Sequence, residues 1–118
     1  MIAHSFTGNE FGPAQKMHGA TYVVDCEFIT DKLESHLNWV VDIGEASTVL
    51  KEVLSEFNYK NLDELEEFQG QNTTTEFMCR QVFDRVADRF KGKFVGAIRI
   101  KMSESHIAWA SYTGIVEE

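Results

Sequence analysis

The sequence predicts an α+β domain: a four-stranded antiparallel sheet with two antiparallel helices on one face, in the order ββααββ. Three observations carry this. Segments near both ends of the chain alternate apolar and polar residues at period two, as strands with one buried face do. Two segments between them repeat apolar residues three and four positions apart, as amphipathic helices do. The 118 residues, 43% of them hydrophobic, contain no internal repeat, low-complexity tract or linker, so residues 1–118 form a single domain.

Taken in order, Ile2 to Phe6 is a short strand, followed by a loop through Gly8 to Gly12 and the only proline, Pro13. Thr21 to Thr30 is the clearest strand, with Tyr22, Val24, Cys26 and Phe28 on one face and Asp25 and Glu27 on the other. Asp31-Lys32 marks a turn, and Trp39-Val40-Val41 resumes an extended run. Asp42 with Glu45 three residues later resembles a capping box, and Leu50, Val53, Leu54 and Phe57 follow at helical spacing. Thr73 with Glu76 opens the second helix the same way, above a stripe of Cys79, Val82, Phe83, Val86 and Phe90. Phe94, Gly96, Ile98, Ile100 and Met102 then share a strand face. A tight turn at Ser103 to His106 leads into a last strand with Ile107, Trp109 and Ser111.

Charge narrows the partners. Nineteen acidic against eleven basic residues leave a net charge of −8, which repels a phosphate backbone and argues against nucleic-acid binding. No run of Lys or Arg offers an anchor for anionic lipid, and no apolar stretch approaches a membrane span. Met1 to Ser5 carries neither the charged nor the apolar region of a signal peptide, so the expectation is a cytoplasmic protein. Cys26 and Cys79 read as reduced, structural thiols. A sheet of four strands leaves two open edges, and pairing between subunits is the natural way to cover them. An oligomer is therefore expected.

Several segments, in register along nearly the whole chain, resemble one family. Trp39-Val40-Val41-Asp42-Ile43-Gly44-Glu45 with Leu50-Lys51 is similar to the segment entering the first helix of the tetrahydropterin synthases (6-pyruvoyl and 6-carboxy types). Phe57-Asn58-Tyr59-Lys60-Asn61-Leu62-Asp63 resembles their Leu-Asp-His-Lys-x-Leu-Asp. Thr74-Thr75-Glu76 resembles the Thr-Thr-Glu or Thr-Ala-Glu that begins the second helix. Ser103-Glu104-Ser105, with Trp109 and Tyr112, resembles the Glu-Thr turn and final strand. The resemblance implies a T-fold, an oligomeric barrel of trimers paired into a homohexamer, with sites between subunits.

It also implies a ligand site. In the family a glutamate anchors the pterin ring, and Glu104 holds that position here. A carboxylate accepts two parallel hydrogen bonds from a ring N–H and its neighbouring amine. Thr74 and Thr75 match family threonines whose hydroxyls and helix-terminal N–H groups meet the ring. Read without the family, Glu104 is a solvated turn residue and Thr73 to Thr75 an N-cap cluster.

The catalytic parts are replaced. The family holds zinc with three histidines, one ending a Phe-Ser-Ala-Ala-His strand and two from His-Gly-His. Aligned on these, the chain reads Phe6-Thr7-Gly8-Asn9-Glu10 and His18-Gly19-Ala20. Glu10 (or Gln15, if the gap slides), His18 and Ala20 then stand at the ligand positions, and only His18 survives. The catalytic cysteine falls at Ala14, and residues 7–17 contain no cysteine. The Asp-His pair is Asn58-Tyr59. Asparagine does not titrate and tyrosine titrates near 10, so neither replaces a histidine at neutral pH. His4, Glu10, His18 and His106 are the raw material for any substitute metal cluster, although their irregular spacing does not point to one. Lys60 and Glu76 read as solvated or capping charges.

The expectation is thus a synthase-like protein binding a pterin-like or purine-like ring at a subunit interface, with no cofactor and without the zinc-dependent reaction. One alternative is a synthase-type lyase working through substituted residues such as Tyr59, Glu10 and His18. The other is a binding or scaffold protein whose pocket takes a different ligand.

Overall fold

In a computed structural model, which describes residues 1–117, the apolar stripes of two helices close over one face of the strands. Strands β1 (Ile2–His4), β2 (His18–Ala20) and β3 (Val23–Ile29) come first. Helix α1 (Ile43–Ser55), the two-residue β4 (Lys60–Asn61) and α2 (Thr75–Arg89) follow, and β5 (Ala97–Ser105) and β6 (Ala108–Ile115) end the chain. The α+β layering is the one expected.

The sheet differs in detail from the single four-stranded layer expected. The long second strand is interrupted at Thr21-Tyr22. Its first part, β2, pairs antiparallel with β1, and its second part, β3, pairs antiparallel with β5, which pairs with β6. The order β1–(β2, β3)–β5–β6 survives as two three-stranded sheets, β2-β1-β4 and β3-β5-β6. The extra strand, β4, lies parallel to β1, matching Ile2 to Lys60 and Ala3 to Asn61. Strand β1 stops at His4, not Phe6. The loop beyond it winds into a 3-10 helix, Asn9–Gln15, kinked at Gly12, whose φ of 53° suits a glycine. Trp39-Val40-Val41 forms no strand and belongs to the exposed connection between β3 and α1.

Asp42 caps α1 as expected, its carboxylate accepting from the Gly44 and Glu45 amides. The second cap is shifted by one residue: Thr74, not Thr73, accepts from the Phe77 amide. Thr73 is turned into the core instead. Val49, Val53 and Phe57 from α1 and its C-terminal side meet Met78, Cys79, Val82, Phe83 and Val86 of α2, over Ile98, Ile100 and Met102 of β5. Each such side chain, fully buried, contributes roughly 1.5–3 kcal/mol. Phe28, Phe90 and Phe94 close the far end edge-to-face, with ring centroids 4.9 and 5.2 Å from Phe28. On β6 the residues that meet the helices are Ala110, Tyr112 and Gly114. Trp109, one residue out of phase, stays 50% exposed on the open face.

Candidate functional site

Two irregularities in the strands bring the sequence-predicted residues to the N-terminal end of α2. Opposite Ala108 and Trp109 of β6, strand β5 carries one residue too many between Ser103 and Ser105. That extra residue is Glu104. It is therefore a bulge residue on a strand rather than a turn residue, the reversal itself lying at His106-Ile107. Val23 pairs with Ser103, so Tyr22, in the break between β2 and β3, falls beside Glu104. The Tyr22 hydroxyl lies 3.2 Å from Glu104 Oε1 and 3.2 Å from Thr75 Oγ1. Thr75 is the first residue of α2 and Thr74 its cap, so the hydroxyls and the free helix-terminal amides face the same small region. Glu104 and Thr75 are joined through Tyr22, and Thr74 precedes Thr75 with its hydroxyl on the Phe77 amide.

Next to them stands a histidine pair. His4 and His18 are register partners across β1 and β2, and their rings meet edge-to-face with centroids 4.6 Å apart. His4 is 1% exposed; its Nδ1 is 3.0 Å from Thr73 Oγ1, and its Nε2 has no hydrogen-bond partner among the described residues. The inward turn of Thr73 thus supplies the one hydroxyl that this buried imidazole finds. Burial and the neighbouring His18 hold His4 below the usual histidine range, against the opposing pull of Thr73, Asp63 and Glu104. His18 directs Nδ1 to the Lys16 carbonyl at 2.9 Å. A carbonyl only accepts, so in the neutral ring Nδ1 carries the proton and Nε2 is bare.

The other sequence candidates lie elsewhere. Glu10 and Ala14 are in the 3-10 helix Asn9–Gln15, Glu10 exposed, and the Ala14 carbonyl accepts from the Phe6 amide. Asn58 accepts from the Met1 amino group at 2.8 Å. Tyr59, at a φ of 62°, is 82% exposed and makes no side-chain hydrogen bond to the cluster. Burial raises both thiols, Cys26 to about 11, so neither offers a thiolate at neutral pH. His4 is the residue whose place the sequence reading missed. The signal was present, since Ala3-His4 matches the last two residues of Phe-Ser-Ala-Ala-His and His4 ends the first strand.

Residues 1–115 match the sequence pattern of the 6-pyruvoyl tetrahydropterin synthase family. The chain belongs to that family. The structure of Caenorhabditis elegans 6-pyruvoyl tetrahydropterin synthase superposes with a TM-score of 0.80 at 18% identity, covering 96% of this chain and 88% of that one. The two share the T-fold. No curated protein matches the chain in sequence.

The zinc that tetrahydropterin synthases imply can be tested against these residues. His4 and His18 present two nitrogens on one face, and the next position on that face, two residues after His18, is Ala20. Among the described residues no three His, Cys, Asp or Glu side chains gather as a metal set. Catalytic zinc takes three protein ligands. The residues present fall one short.

A cleft of about 680 Å³ lies at the other end of α2, between the connection preceding α1 and residues 90–95. The fifteen residues of α2 separate it by roughly 20 Å from Glu104. No helix among the described residues is long and apolar enough to cross a membrane.

Proposed function

We propose that this chain binds a pterin, or a purine-like ring with the same hydrogen-bonding edge, at a subunit interface, and does not carry out the zinc-dependent synthase reaction. The observation that carries the reading is the placement of Glu104 on a bulge beside Thr75 and the free amides of α2. A carboxylate there accepts from a ring N–H and its adjacent amine, while the helix terminus offers donors to the ring's carbonyl. The side chains lie on an open rim of one chain, which fits a pocket completed by a neighbouring subunit of a homohexamer, a dimer of trimers. Loss of the synthase reaction rests on three substitutions: alanine at position 20, no cysteine in residues 7–17, and Asn58-Tyr59 in place of Asp-His.

Calorimetric titration of pterins and purines tests the ring reading. Glu104→Gln keeps the shape but turns a ligand-facing acceptor into a donor. It should cost about 2 kcal/mol or more, on the order of thirtyfold in affinity. Thr75→Val should cost about 1 kcal/mol. Parent-like pterin binding by Glu104→Gln would falsify the assignment.

A second reading, a lyase with substituted residues, draws on one observation. The bare Nε2 of His18 is an unclaimed proton acceptor, and the Nε2 of His4 beside it has no hydrogen-bond partner among the described residues. Elemental analysis bears on both readings. With two nitrogens in place of three, the dialysed protein should retain zinc well below one equivalent. Equimolar zinc, lost in His4→Ala and again in His18→Ala, would favour the lyase.

A further inference from the structure

Tyr22 has no role in the recognition proposed for Glu104 and the helix terminus, yet among the described residues it is the one side chain hydrogen-bonded to both Thr75 and Glu104. A phenol has a single proton, and a carboxylate can only accept. The Tyr22 proton therefore goes to Glu104 Oε1, and the contact with Thr75 must be made with the threonine's own proton. The order is fixed: Thr75 Oγ–H donates to Tyr22 Oη, and Tyr22 Oη–H donates to Glu104 Oε1. Burial, opposed by the Thr75 hydrogen bond and reinforced by the Glu104 charge, pushes the phenol up to about 12, so it keeps its proton at neutral pH. Behind the hydroxyl, the Tyr22 side chain lines an apolar cavity of about 210 Å³ with Val24, Leu62, Met78 and Met102. The half-buried ring is held by packing while its oxygen faces the rim.

Two consequences follow for a ligand. Glu104, a bulge residue near the end of an exposed hairpin, is tethered through one lone pair of Oε1, and the remaining lone pairs of its two oxygens stay open as acceptors. Thr75 has spent its proton and offers only lone pairs. We propose that Tyr22 is the positioning residue of the ring site, holding Glu104 through Oε1 and leaving Glu104 and Thr75 both as acceptors. The site then selects a heterocycle with an unbroken edge of N–H donors and rejects one with a carbonyl in that edge. An amino-substituted pyrimidine ring with an adjacent ring N–H, the edge that pterin and guanine share, satisfies it. Lumazine, which carries a carbonyl in place of pterin's amine, does not. This inference rests on the reading that Glu104 anchors a ring.

The test is calorimetric titration of pterin and lumazine into the parent protein, Tyr22→Phe, Glu104→Gln and the double variant, each checked for folding by thermal melting. Tyr22→Phe should weaken pterin binding about tenfold, the scale of one hydrogen bond to a charged group. It should also narrow the preference for pterin over lumazine, which a general loosening of the fold would leave unchanged. In the Glu104→Gln background the same change should have less than about a twofold effect, because a residue acting through another loses its effect with it. Full, additive loss in the double variant overturns the positioning role, as does unchanged pterin binding by Tyr22→Phe when Glu104→Gln loses it. If Glu104→Gln itself binds pterin like the parent, the ring reading falls and this inference with it. Should Tyr22→Phe not fold, Thr75→Val breaks the same chain at its other end. An unaltered pterin-to-lumazine ratio there is the overturning result.

Discussion

At the end of β1 the His4 ring is enclosed by Phe6 and His18, with centroids 4.6 Å away in each case, and by the Thr73 hydroxyl. Such a group binds protons more readily in the unfolded chain than in the folded one, since burial and His18 depress its folded value below the ordinary 6.5. The sign follows from linkage: where the unfolded state binds more protons, stability rises with pH. Stability tied to His4 is therefore fully present above about pH 6.5, falls as pH drops below that value, and is gone once pH passes the depressed folded value. Denaturant unfolding of the parent at a series of values between about pH 8 and pH 5 should show this loss. His4→Gln, less stable at the upper end, should lose less across the interval. Parallel profiles for the two proteins would show that His4 does not titrate on unfolding. Ala3-His4 was legible as a motif fragment, but the partner of its Nδ1 was not. Thr73 carries every mark of an N-cap, and only packing against a buried imidazole turns it inward.

Among the elements, α2 was the most legible and the strands the least complete. Cys79, Val82, Phe83, Val86 and Phe90 are all buried along one side of the helix, as their spacing implies. Interrupted pairing is harder to see, because a strand's period says nothing about where its partner changes. The approach of α2 to the sheet also depends on what is missing from β6. A Cβ built on Gly114 would stand 2.4 Å from Phe83 Cζ, so the ring lies where any larger residue would place its side chain. Gly114→Ala should destabilise the fold by about 1–3 kcal/mol, the usual penalty of overpacking. Thr113→Ala, on the open face of the same strand, is the control and should stay within about 0.5 kcal/mol. Equal effects in denaturant titration would mean that Phe83 moves aside freely. Trp39-Val40-Val41 shows the reverse case. Three residues of high strand propensity remain a connection because no neighbouring strand offers them hydrogen bonds.

For the molecule as a whole, the face of β3, β5 and β6 turned away from the helices is the unfinished part. Val23, Ile29, Trp109 and Ile115 are exposed on it, around the cross-strand pair Glu27–Arg99 and the Lys101 ammonium 4.2 Å from the Trp109 ring. Among the described residues β6 forms one edge of this sheet and β3 the other. Apolar side chains on an open sheet with a free edge call for another copy. We expect sedimentation at about six times the 13.5 kDa chain mass, two trimers paired, since trimerisation and pairing close both the edges and the face. Only 13.5 kDa monomer at micromolar concentration would rule this assembly out.

By itself the sequence determined the α+β class, both helices, the inward faces of β3 and β5, and the family, because periodicity and ordered motifs are local properties of the chain. It also singled out Glu104, Thr74 and Thr75, which the fold places at the N-terminal end of α2. Only the tertiary structure decided that Glu104 rides a bulge, that Tyr22 binds it to Thr75, and that His4 stands opposite His18 where alignment had put Glu10. Those facts depend on strand register, and register is settled by which faces pack together across residues far apart in the chain.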